Sequence, residues 1–123
     1  MRYVFLAILL LGSSPLLAES WTGYLVDAKC YSSQERNVNP FDPSFDSNHD
    51  RGYEIRVCRP KLGTRTFAVV DTDDGQSVEL DPSGNVKAAD FVRRIGEKRL
   101  LNVTVTGDRR DHTVTVESIS LAK

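Results

Sequence analysis

Five short strand-like runs with one helical run between the third and the fourth constrain this chain more than any other feature. In "WTGYLVDA", Trp21, Gly23 and Leu25 share one face and Thr22, Tyr24 and Val26 the other. Both faces are largely apolar, which predicts a strand packed centrally or curved at Gly23. "RTFAVVD" and "QSVELD" flank the turn "DTDDG", a hairpin signature with Gly75 available for a positive φ angle. After the turn "DPSGN", "VKAADFVRRIG" sets Ala88, Phe91, Val92 and Ile95 at helical spacing. Arg93 and Arg94 fall in the last turn of that helix and Gly96 terminates it. "RLLNVTVTG" alternates again, with Leu101, Val103 and Val105 on one face. "HTVTVESISL" follows the polar turn "DRRD" with Val114 and Val116 inward and then Ile119 and Leu121. The phase slips by one near Glu117, which predicts a bulge.

Between the first and second strands the pattern dissolves. Residues 31–65, rich in Asn, Asp, Ser and Pro, read as a long loop, with room for one short strand at "YEIRVC", where Tyr53, Ile55 and Val57 alternate with polar partners. A loop of this length in a compact domain is tied down or functional. The order of elements predicts a mainly β fold, a five-stranded OB-like barrel with one helix between strands 3 and 4.

The chain opens with a basic Arg2, an apolar run "YVFLAILLL" and a small residue at Ala18, the anatomy of a secretory signal peptide over residues 1–18. A membrane helix needs about 20 uninterrupted apolar residues, and "GSSP" breaks this run. The expectation is a secreted or periplasmic protein with no membrane span after cleavage, and one domain over residues 19–123. Losing Arg2 leaves 15 basic against 17 acidic residues, so charge gives no general attraction to nucleic acid or anionic membrane.

Cys30 and Cys58 are the two cysteines. They admit a disulfide, a metal site with Asp27 and His49, or a reactive thiol. The Asp27, Cys30, His49, Cys58 set matches no standard zinc spacing. An oxidising compartment favours pairing. By loop entropy, a bridge closing about 28 residues contributes on the order of 3.5 kcal/mol, a large share of the roughly 5–15 kcal/mol that holds a domain folded.

Other chemistry is sparse. "DTDDGQSVEL" fails the EF-hand register because Gly75 is fifth and not sixth, and a solvated turn is the simpler reading. The Asx-rich positions Asp42, Asp46, Asn48 and Asp50 could hold a cation through oxygen ligands, yet loops of this composition usually need no ion. His112 sits beside a turn, and neither a nucleophile elbow nor a phosphate-cradling glycine run occurs. This inventory leans away from an enzyme and asks for no cofactor. Asn102-Val103-Thr104 is formally a glycosylation sequon, but it lies in a predicted strand. The basic residues Arg51, Arg56, Arg59, Lys61 and Arg65, beside Tyr53, form a candidate ligand surface for acidic or sulfated sugars. A solvated rim explains the same charges. In an exported protein the partner would be an envelope glycan or protein, with no nucleic acid expected.

"WTGYLVDAKCY", "EIRVC" with "FAVVD", and "VTVTG" followed by "VESISLAK" resemble a family of small exported bacterial proteins of unknown function. The likeness spans the mature chain, and its motifs are structural more than chemical. It implies that wider relatives join a G-x-x-x-D-x-x-C opening to a further histidine and several downstream cysteines, a metal or redox set. Gly23, Asp27, Cys30 and His49 are present here, but Cys58 stands alone downstream. That departure favours a single disulfide. The expected function is an exported, non-enzymatic binding or structural module, with a metal-binding or thiol-redox protein as the alternative.

Overall fold

The computed structural model describes residues 19–36, 47–71, 73–96 and 100–122. The leader 1–18 and the stretch 37–46, with Asp42 and Asp46, lie outside the described residues. Among those described, the chain is mainly β, a five-stranded mixed sheet that closes in a ring, with three helices. The elements are β1 (Glu19–Asp27), α1 (Ala28–Arg36), α2 (Ser47–Val57), β2 (Phe67–Val70), β3 (Ser77–Leu80), α3 (Pro82–Ile95), β4 (Asn102–Arg110) and β5 (Thr113–Leu121). Around the ring the order is β1-β2-β3-β5-β4 and back to β1.

β1 holds two neighbours. Its first half, Glu19 to Tyr24, pairs antiparallel with β4, and its second half, Tyr24 to Asp27, with β2. The strand changes partner next to Gly23, where an added Cβ would collide with the Val70 carbonyl oxygen. Gly23 thus sits where the strand exchanges one neighbour for the other and two backbones approach too closely for a side chain. The predicted bulge is also present: Thr106 pairs with Ser118 and Gly107 with Val116, so Glu117 is the extra residue of β5.

The ring closes through its shortest seam, a parallel pairing of Glu79 with Thr113 and Leu80 with Val114. The crossover that a parallel pair requires is supplied by α3 and β4. Asp81 extends this seam beyond the strands. Its backbone N–H donates to the Val114 carbonyl (2.9 Å), and its Oδ1 accepts from the Val116 N–H (3.0 Å). The same Oδ1 accepts from the Gly84 N–H at 2.9 Å, capping α3, and Oδ2 accepts from the Ser83 hydroxyl at 2.9 Å. Burial would raise the carboxyl pKa, but the bonds from Val116, Ser83 and Gly84 to its charged form outweigh burial and hold it below the ordinary value.

α3 starts earlier than its periodicity suggests. "DPSGN" reads as a turn in sequence but is the N-cap and first turn, with Pro82 at the start, where its missing N–H costs nothing. Ala88, Phe91 and Val92 then plug one pole of the ring, and Gly96 ends the helix at φ 96°.

Two hydrophobic cores result. Inside the ring, Leu25, Phe67, Val69, Leu101, Val103, Val105 and Val114 pack with α3, each contributing about 1.5–3 kcal/mol on full burial. Outside it, Val26, Ala68 and Val70 on the opposite faces of β1 and β2 pack against Tyr31, Ile55 and Cys58. All four residues of β2 are buried because both its faces are covered. Leu121, expected inward, is instead 46% exposed past the bulge.

The reading of residues 31–65 as a loop is corrected by α1 and α2, and "YEIRVC" is helix, not strand. The alternation of Tyr53, Ile55 and Val57 misleads. Tyr53 and Val57 are exposed, whereas Ile55 and Cys58, three apart, face the outer core as a helix allows.

Candidate functional site

The Cys30–Cys58 disulfide is formed, with the Cα atoms 5.4 Å apart, inside the usual range for unforced bridging. Cys30 lies in the first turn of α1 and Cys58 follows the last residue of α2, so one bond joins both helices over the β1–β2 face. Cys58 is buried, and its carbonyl accepts from the Asp27 N–H at 2.8 Å. The Ala28 N–H donates to the Thr66 carbonyl at 2.9 Å, which brings the two ends of the helical insert together.

Asp27 works as a cap. Its Oδ1 accepts from the Cys30 N–H at 3.1 Å, and its Oδ2 accepts from the Thr64 hydroxyl at 3.2 Å. Thr64 Oγ1 in turn accepts from the Lys61 N–H at 3.0 Å, so the carboxylate anchors both the start of α1 and the segment leading into β2. In the alternative metal set, Cys30 and Cys58 are bonded to each other, Asp27 is engaged as described, and the His49 side chain lies outside the described residues. Among the described residues no group of three or more His, Cys, Asp or Glu side chains gathers at ion-holding distance.

The basic candidates do not form one patch. Tyr53 and Arg56 stand a helical turn apart on the exposed side of α2, and Tyr53 is 53% exposed. Arg59 is exposed just beyond, with Nη1 donating to the Arg56 carbonyl at 3.5 Å, and Lys61 is exposed in the following turn. Arg51 is only half-buried, and its guanidinium lies against Gly75 of the β2–β3 turn. Arg65 lines a different feature, an open groove of about 530 Å³ between residues 62–65 and α3, shared with exposed Leu62 and Val86 and with Arg93.

A second concavity lies at the pole opposite α3, where β1 begins, β2 turns into β3 and β4 ends. It measures about 270 Å³. Val69 and Val78 form its floor, at the top of the inner core, and half-buried Trp21 packs beside them. Its rim is polar: Asp71, Asp74, Gln76 and Arg109 line it. The Asp71 Oδ1 accepts from the Asp73 N–H at 2.8 Å, and the Arg109 Nε donates to the Asp111 carbonyl at 2.8 Å. Sequence reading missed this cavity and took "DTDDG" for a solvated turn. The available signal was parity: Asp71, Gln76 and Arg109 continue the inward-facing series of Val69, Val78 and Val105.

Among the described residues no helix is long and apolar enough to cross a membrane. Comparison with protein-family models, with curated proteins and with solved structures returns no match.

Proposed function

We propose that this chain is an exported, non-enzymatic binding or structural module, an OB-like barrel of the small bacterial type that its sequence resembles, and that α2 is held out toward an envelope glycan or protein. The observation that carries the reading is the Cys30–Cys58 disulfide. It occupies both thiols, fits an oxidising compartment beyond the cytoplasm, and pins a helical pair whose outer side bears Tyr53 and Arg56. The ring order, with α3 between β3 and β4, supports the OB-like assignment.

The test has two arms. Intact mass of the exported protein should show the loss of two hydrogens and no bound metal. Two free thiols with stoichiometric zinc would overturn the module in favour of a metal site. Retention on an anionic polysaccharide matrix should be salt-sensitive and should fall in Arg56→Ser/Arg59→Ser, whereas unchanged retention would remove this surface from the proposal.

A further inference from the structure

We propose that the open pole of the ring is a binding site for a single neutral pyranose unit. This inference stands on the cavity alone, not on the α2 surface, and either can fail without the other.

The wall of a small closed sheet alternates inward and outward side chains, and its inward positions are normally apolar fill. Around the α3-plugged pole that rule holds. Toward the other pole it stops one layer short of the rim. In β1 the last inward residue packed on the core is Trp21, with exposed Glu19 next in the same phase; beyond Val69 and Val78 come Asp71 and Gln76; and on β4, Arg109 follows Val105 and Gly107. An aromatic side wall and an apolar floor therefore lie beneath two carboxylates, Asp71 and Asp74, an amide and a guanidinium.

Each part matches one aspect of a sugar ring. The apolar floor and the indole suit the C–H face of a pyranose, as amphipathic aromatic surfaces do. Carboxylate and amide oxygens accept from ring hydroxyls, and Arg109 donates to them. Among the described residues, the Arg109 side chain makes one hydrogen bond, from Nε, and no ion pair, so its outer nitrogens are available to a ligand. Two carboxylates against one guanidinium at the rim disfavour an anion and leave a neutral polyol as the fitting ligand. Ligand sites commonly measure about 300–1,000 Å³, so a cavity of 270 Å³ suits one ring and not a longer segment. The mouth of a β-barrel is a recurrent place for such sites.

Trp21 is the chain's one tryptophan, so its emission reports this pole directly. The exported protein, disulfide intact, is titrated with the methyl pyranosides of glucose, galactose and N-acetylglucosamine, with glycine and acetate as charged controls. The expected result is a saturable emission change with at least one pyranoside at about millimolar Kd. Gln76→Ala and Arg109→Ala, both at exposed positions, should each weaken it about tenfold, as expected for lost ligand hydrogen bonds. Amide shifts in NMR spectra should concentrate at Trp21, Val69, Gln76, Val78 and Arg109. No saturable response to any pyranoside, unchanged affinity in both variants, shifts centred on the 62–65 groove, or a response to glycine or acetate alone would each overturn the proposal.

Discussion

Replacing Asp81 tests how the ring is closed. In Asp81→Ala, α3 loses its cap, a change that costs about 0.5–2 kcal/mol. The Val116 N–H, which donates to Oδ1 at 3.0 Å, is left without its acceptor in a nearly buried residue, for about 1–3 kcal/mol more. These losses share one oxygen, so the expected total is about 2–4 kcal/mol and not the full sum of the upper values. At about 4–8 °C per kcal/mol for a domain near this size, Tm should fall by roughly 8–32 °C. Asp81→Asn keeps an oxygen acceptor and loses the charge, and should cost about 1 kcal/mol. The two variants also divide by pH. The folded carboxyl has a lowered pKa, so its contribution is complete above the unfolded value of about 3.9 and is lost as pH falls through the folded value. The gap between wild type and Asp81→Asn should therefore be widest near neutrality and shrink as pH falls below the unfolded value of about 3.9. Urea titrations followed by circular dichroism at both pH values measure it. Equal stability of the Ala and Asn variants, an Ala cost under about 1 kcal/mol, or a gap that does not change with pH would refute this account of the seam.

Two more outcomes follow from the core and from Gly23. Cys30→Ser/Cys58→Ser should lower unfolding free energy by about 3.5 kcal/mol, with hydrogen exchange rising first at Ile55 and Tyr31 and only later at Val103 and Val105; uniform loss of protection would show that the two cores are one cooperative unit. Gly23→Ala forces a Cβ against the Val70 carbonyl and should cost about 1–3 kcal/mol in denaturant titration, and a neutral result would mean that the two backbones do not approach so closely there.

What the sequence disclosed depended on how local the signal was. Val103 and Val105 alternate with polar neighbours within one strand, and Phe91, Val92 and Ile95 repeat within one helix, so β4 and α3 were readable. The bulge at Glu117 was readable because the inward phase changes on either side of it. α1 and α2 were not. Gly52 weakens the helical reading of α2, and among the described residues its apolar buried positions are only Ile55 and, just past its end, Cys58, too little for a 3.6-residue period to declare itself. The hint lay elsewhere, in a first strand apolar on both faces: Tyr24 and Val26 needed a cover, and only the intervening segment could provide one. For the sites, Cys30 and Cys58 could be paired by compartment and count, but Asp71, Gln76 and Arg109 meet only once strand register brings three separate segments to one pole.

The hydrogen bond from the Ala28 N–H to the Thr66 carbonyl has a consequence for how such a chain can diversify. It fixes the entry and exit of the helical insert side by side, so residues 29–65 act as a cassette on a frame that does not depend on their length. Because each doubling of a loop costs only about 0.6 kcal/mol of closure entropy, the frame tolerates inserts of very different size. The one requirement is an apolar underside to shelter Val26 and Val70. The helical surface at this end of the molecule can thus be exchanged wholesale, while the opposite pole, built from the frame itself, can change only one side chain at a time.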